Sequence, residues 1–127
     1  MSRSTCTLNE SASAAVGGQI HNINADTVAG ELAVALHAEK IVFVSDVGGI
    51  VSSVGLEESV SSECTLADIG ALQAAGGISG GMIPKVNAVR RALEGGVTSA
   101  HIIDGRAEHA LLLEVLTDAG CGTKVSA

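Results

Sequence analysis

Apolar positions along the chain keep two rhythms. Val28, Leu32 and Leu36 recur every four residues and predict a helix; Ile41-Val-Phe-Val44 is an unbroken apolar run and predicts a strand buried on both faces of a parallel sheet. Leu66, Ile69 and Leu72 predict a second helix within Thr65 to Ala75. Met82, Val86, Val89 and Leu93 predict a longer third one, ended by Gly95-Gly96. Pro84 must sit in the first turn of that helix, because deeper in it the ring would clash with the preceding backbone. Thr98 to Ile103 reads as a strand, Asp104-Gly105-Arg106 as a turn, His109 to Leu116 as a short apolar helix and Gly122 to Ser126 as a last strand. Repeated helix-then-strand units make an α/β layer structure in one unit, with no internal repeat and no linker.

Two stretches lack a rhythm. Met1 to Gly18, rich in Ser, Thr and Ala, reads as a poorly ordered lead-in to a domain spanning residues 19–127. Ser52 to Ser62, with scattered charge and serine, reads as a surface excursion.

Composition narrows the function classes. Of 127 residues 46% are hydrophobic and 17% charged, which argues for a folded chain, and the only aromatic residue is Phe43, so bases have almost nothing to stack on. Seven basic against fourteen acidic residues give a net charge of −7, which opposes attraction to nucleic acid or an anionic membrane. No apolar run approaches the roughly 20 residues of a membrane span, and no basic segment precedes an apolar one at the N-terminus. The expectation is a soluble, cytoplasmic protein, or one of the plastid stroma. Cys6, Cys64 and Cys121 form no CxxC pair, and His21, His37, His101 and His109 show no HxH or HxxxH spacing, so no disulfide framework or metal site is expected.

Three stretches carry candidate chemistry. In Ile78-Ser-Gly-Gly-Met-Ile-Pro-Lys85, paired glycines before a helix let backbone amides approach an anion, and a lysine in the first turn adds a mobile positive charge. It is not a Walker A loop, since Val86 follows the lysine, and a glycine-rich connection with a solvated lysine is the alternative. Asn22, Asn24 and Asp26 alternate just before a helix, where they cap its end, bind a ligand or, for Asp26, orient a lysine. Ser45-Asp46-Val47-Gly48-Gly49 leaves the buried strand at its carboxyl end, where α/β sheets hold ligands, or is simply a tight exit turn.

Taken in order, Asn22-Ile-Asn-Ala-Asp-Thr-Val-Ala-Gly30, Lys40-Ile-Val-Phe-Val-Ser-Asp-Val-Gly-Gly-Ile50, Ile78-Ser-Gly-Gly-Met-Ile-Pro-Lys-Val86 and His101-Ile-Ile-Asp-Gly-Arg106 with His109-Ala-Leu-Leu-Leu-Glu114 resemble acetylglutamate kinase, of the amino acid kinase family. The likeness runs from about Gln19 to Val125 and corresponds to the C-terminal, nucleotide-binding half of that family. It implies an open, mainly parallel sheet flanked by helices. It also implies transfer of a phosphoryl group from MgATP to the side-chain carboxylate of N-acetyl-L-glutamate, in arginine synthesis. By motif, Lys85 and Asp26 would be catalytic and Asn22 would hold the acetylglutamate. Ser45, Asp46, Val47, Gly80, Gly81, Met82 and Lys85 would surround the nucleotide, and no resident metal site is implied. His101, Glu114 and Gly120 match positions where arginine-sensitive members bind their inhibitor, and plant and cyanobacterial members bind the PII signal protein.

The family's first strand, its lysine and its glycine-rich loop do not precede Gln19, so the resemblance implies an incomplete catalytic centre in this chain alone. Gly48 stands where the family has Pro or Ala. A sheet divided in mid-domain should self-associate. The competing expectation is a non-catalytic regulatory or interaction module of the same fold, for arginine sensing or oligomerisation.

Overall fold

A computed structural model describes residues 12–14, 20–46, 49–53, 58–60, 62–78, 80–117 and 121–127. In chain order the elements are β1 (Ala12–Ala14), β2 (Ile20–Asn22), α1 (Ala25–Ala35), β3 (Lys40–Ser45), β4 (Val51–Ser53), β5 (Glu58–Val60), β6 (Glu63–Thr65), α2 (Leu66–Ala74), α3 (Met82–Glu94), β7 (Ser99–Asp104), α4 (Ala110–Leu116) and β8 (Gly122–Ser126). The main sheet has the order β3-β7-β8-β6. β3 with β7 and β6 with β8 are parallel, while β7 with β8 is antiparallel, so the sheet is mixed with two of its three pairings parallel.

Two antiparallel pairs stand apart from it, β1 with β2 and β4 with β5. The expected lead-in therefore holds a strand at Ala12–Ala14. The expected surface excursion, Ser52 to Ser62, holds most of β4 and all of β5 and leads directly into β6 of the main sheet. Their Ser- and Ala-rich sequences lack an apolar alternation, and it is backbone pairing that defines them.

Successive residues of a strand point to opposite faces, so the register sorts the layers. Ile41, Phe43, Ala100, Ile102 and Val125 share one face and join α1, α2 and α3 in the core, with Val86, Val89, Ala92 and Ile69 wholly buried. The other face carries Val42, Val44, His101 and Ile103, with α4 lying on β7. Here the run Ile41 to Val44 departs from expectation. Val44 is 54% exposed, because β3 is an edge strand of this sheet and α4 packs on its neighbour; among the strands of the main sheet it is β7 that is buried along nearly its whole length.

The stripe Val28-Leu32-Leu36 is also not the core face of α1. The residues of α1 that bury are Gly30 and Ala33, because α1 crosses α3 closely: a Cβ on Gly30 would lie 3.0 Å from the carbonyl oxygen of Ala88. Val28 and Leu32 instead line an open groove of about 520 Å³ together with Ile23 and Ala35. α2 begins on a reciprocal cap, Thr65 accepting from the Asp68 N–H while the Asp68 carboxylate accepts from the Thr65 N–H at 2.8 Å. β8 passes so close to β7 that a Cβ on Gly122 would fall 2.0 Å from the Ile102 carbonyl oxygen.

Candidate functional site at the carboxyl edge of the sheet

α1 leads into β3, and α3 turns through Gly95-Gly96 into β7, so each helix runs back antiparallel to the strand it feeds. Both helix N-termini therefore reach the edge where β3 and β7 end. Asn24 caps α1, its Oδ1 accepting from the N–H groups of Asp26 (2.9 Å) and Thr27 (3.4 Å), so this asparagine is committed to the helix. Asn22, the last residue of β2, is paired through its backbone with Ala12. Asp26 lies in the first turn of α1, and the Lys85 Nζ donates to both of its carboxylate oxygens at 3.2 Å. The two side chains are 21% and 20% exposed, which leaves the ammonium reachable while the carboxylate fixes its direction.

The N-terminus of α3 beside Lys85 has no side-chain cap and no acidic residue in its first turn. Gly81 is its N-cap, and Gly80 takes φ = +58°, a left-handed turn that favours glycine. A Cβ at either glycine would meet nothing within 4 Å, so the approach to the amides is open. The Ile83 N–H is taken by the Gly80 carbonyl at 3.2 Å and Pro84 has none, so it is the Gly80-Gly81-Met82 backbone, the positive end of the helix dipole and an oriented lysine that together suit an anion, above all a phosphate. Met82 opens the helix and packs partly against the core.

At the end of β3, Ser45 is buried and Asp46 exposed, and the Ser45 carbonyl accepts from the Gly105 N–H at 2.8 Å. Val47, Gly48, Ser79 and Gly120 lie outside the described residues. Asp104-Gly105-Arg106 was read from the sequence as a turn, without a role at this edge. Arg106 forks onto Asp104, Nε to Oδ1 at 2.9 Å and Nη2 to Oδ2 at 2.8 Å, and its backbone N–H donates to Oδ1 as well. These bonds hold the Asp104 carboxyl down at about 2. The available signal was a charged Asp-Gly-Arg turn at the end of a strand parallel to the one ending in Ser45-Asp46.

His101 and Glu114 meet elsewhere, between β7 and α4. The His101 Nδ1 contacts Glu114 Oε1, its Nε2 accepts from the Ser99 hydroxyl at 3.3 Å, and Glu114 Oε2 accepts from the Cys121 N–H at 2.9 Å. Burial lowers the histidine pKa against the pull of the glutamate, and facing a carboxylate it is Nδ1 that carries a proton. Burial works against the Glu114 carboxylate, but the Cys121 N–H and the His101 ring outweigh it and hold its pKa below the ordinary value. The Cys121 thiol, pushed up by burial and by Glu114, stays protonated and donates to the Ala110 carbonyl at 3.1 Å. Two of the three expected arginine-site residues are thus together, buried and bonded to each other. Among the described residues no group of three or more His, Cys, Asp or Glu is placed to hold a metal ion, and no helix is long and apolar enough to cross a membrane.

Known proteins share both the sequence and this architecture. The chain is 55% identical over 108 residues to acetylglutamate kinase of Moorella thermoacetica and 51% identical over 110 residues to that of Acaryochloris marina. These alignments cover 85% and 87% of this chain but 36% and 39% of the relatives, so the chain spans little more than a third of their length. Among solved structures, N-acetylglutamate synthase from Neisseria gonorrhoeae with coenzyme A and N-acetyl-glutamate superposes with a TM-score of 0.82 at 27% identity, over 92% of this chain and 26% of that one. Carbamate kinase from Giardia lamblia bound to AMP-PNP gives 0.68 at 25% identity, over 86% and 34%. The model of the amino acid kinase family matches residues 5–104, a span that holds Asp26, Lys85 and both parallel strand ends, and the chain belongs to that family.

Proposed function

We propose that this chain is the nucleotide-binding part of an acetylglutamate kinase, which passes the γ-phosphoryl group of MgATP to the side-chain carboxylate of N-acetyl-L-glutamate in arginine biosynthesis. The observation that carries the reading is the Lys85–Asp26 pair at 3.2 Å, set beside the uncapped N-terminus of α3. A carboxylate oxygen of the acceptor attacks the γ-phosphorus, the bond to the β–γ bridging oxygen breaks, and the electron pair leaves on MgADP. Such a transfer needs positioning and charge neutralisation rather than covalent help. Lys85 supplies the charge, Asp26 aims it, and the Gly80-Gly81 turn with the Met82 amide at the start of α3 receives phosphate oxygens. Ser45 and Asp46, at the neighbouring strand end, face the nucleoside. Asn22, two residues before the α1 cap, holds the acceptor, and the metal arrives bound to the nucleotide.

Titration of the chain with MgATP tests this. Binding should weaken at least about tenfold in Lys85→Ala, since a charge-assisted hydrogen bond contributes about 1.5–3 kcal/mol. A folded sample that binds no nucleotide overturns the reading. Because the chain spans little more than a third of its relatives, transfer to acetylglutamate is expected only when the remaining length is supplied.

A second reading rests on the meeting of His101 and Glu114: the chain is a non-catalytic module that senses arginine. Arginine binding without nucleotide binding would favour it.

A further inference from the structure

We propose that Arg106 is the charge-balancing residue of the carboxyl edge, offsetting Asp46 and Asp104 so that a polyphosphate is accepted there. The inference rests on the nucleotide reading above and deepens it by assigning a role to a residue outside the phosphate-binding helix.

The edge has an electrostatic difficulty. Asp26 from the start of α1, Asp46 after β3 and Asp104 at the end of β7 put three carboxylates around it, in a protein whose net charge is already −7. A nucleoside triphosphate approaching them is repelled unless cations are close, and at an exposed rim only cations within about 10 Å act before salt screens them. Lys85 offsets Asp26 at 3.2 Å. Arg106 offsets Asp104 through the two-point fork, and the guanidinium also feels Asp46, which adds to the rise in its own basicity caused first by the Asp104 hydrogen bond.

The turn is seated against the nucleotide ledge rather than merely near it. Gly105 donates to the Ser45 carbonyl at 2.8 Å, and a Cβ at Gly105 would lie 2.5 Å from Val44 Cγ1, so the glycine lets the turn lie against the end of β3 without displacing the Val44 side chain. At 69% exposure the guanidinium spends most of its surface in solvent, which leaves it free to turn from Asp104 towards an incoming phosphate. Nothing in the core depends on it.

A charge-balancing role predicts an effect that scales with ligand charge. Titration of the whole chain with Mg-ATP, Mg-ADP, AMP and adenosine, in the natural protein and in Arg106→Ala, Arg106→Glu and Arg106→Lys, reads it directly. For Arg106→Ala we expect ATP affinity to fall about threefold to tenfold, as for one unit charge at a screened surface. The loss should shrink with each phosphate removed, vanish for adenosine and fade at high salt. Arg106→Glu should exaggerate the gradient and Arg106→Lys should largely restore it. An equal loss for all four ligands, adenosine included, would mean that the residue only shapes the turn and would overturn the proposal, as would unchanged ATP affinity in Arg106→Glu. Failure of the natural chain to bind any nucleotide would sink the functional reading and this inference together. Binding by the natural chain with a flat response at Arg106 would sink the inference alone.

Discussion

α3 and α4 lie on opposite faces of β7 and are held there by different physics. α3 places Val86, Ala88, Val89, Ala92 and Leu93 in the core, turns Arg91 and Glu94 outward and holds Lys85 half-buried against Asp26. α4 does the reverse: Ala110 and Glu114 are buried, while Leu111, Leu112, Leu113, Val115 and Leu116 are 44 to 75% exposed. One helix is fixed by apolar area, the other by hydrogen bonds to a carboxylate. The contrast implies that α3 belongs to the cooperative core, whereas α4 opens locally and responds to protons.

The largest test is Leu93→Ala in α3, a core truncation expected to cost about 3 kcal/mol of global stability. Urea unfolding should show it as a lower midpoint with an unchanged slope. Glu114→Ala should cost about 2 kcal/mol, because it strands the Cys121 N–H and the His101 N–H. The loss should appear as faster hydrogen exchange in α4 while β7 and α3 keep their protection. Should Glu114→Ala lower protection everywhere, α4 would be part of the same cooperative unit and the contrast would fail.

Acidification is the next smaller effect. His101 has a folded pKa below its ordinary 6.5, so between the two values the unfolded chain binds the extra proton, and stability falls as pH drops through 6.5. Glu114, held below 4.5, acts in the same direction at lower pH: its contribution is present above 4.5 and is lost as pH falls through the folded value. His101→Gln should flatten the upper part of a plot of urea midpoint against pH; an unchanged slope there would show that another group carries it. The smallest effect belongs to the outward leucines. Leu112→Lys and Leu116→Lys should change monomer stability by no more than about 0.5 kcal/mol, yet reduce the self-association expected of an exposed apolar face. Sizing at several concentrations checks this, and a chain that stays monomeric throughout would contradict it.

How far sequence alone reaches is clearest at particular residues. The α3 stripe was legible, because Met82, Val86, Val89 and Leu93 repeat on one face and Gly-Gly pairs bracket the helix. The α1 stripe misled, since Val28 and Leu32 obey the same rhythm but the buried positions are small ones that let α3 approach. Large apolar side chains mark the face that wants burial; they do not say whether a partner covers it. The direction of β8 was beyond reach as well, because strand periodicity carries no polarity. At the site, Asp26 and Lys85 stood out by motif and the structure pairs them across the helix ends. Arg106 was read only as part of a turn, because its significance depends on Asp46 and Ser45, far away in the chain and adjacent only once β3 pairs with β7.

The insertion of β8 between β7 and β6 has a consequence for how the molecule is made. β6 touches the sheet through β8, with Cys64 opposite Val125, so the strand that starts α2 waits for a partner synthesised almost a domain later. A nascent chain emerging as far as Asp104 can already pair β3 with β7, but β6 then has no neighbour in the sheet. Assembly is thus ordered in time, β3 with β7 first and the α2 side last, and a nascent chain that has emerged no further than the residue before Gly122 would display half a sheet with an open margin.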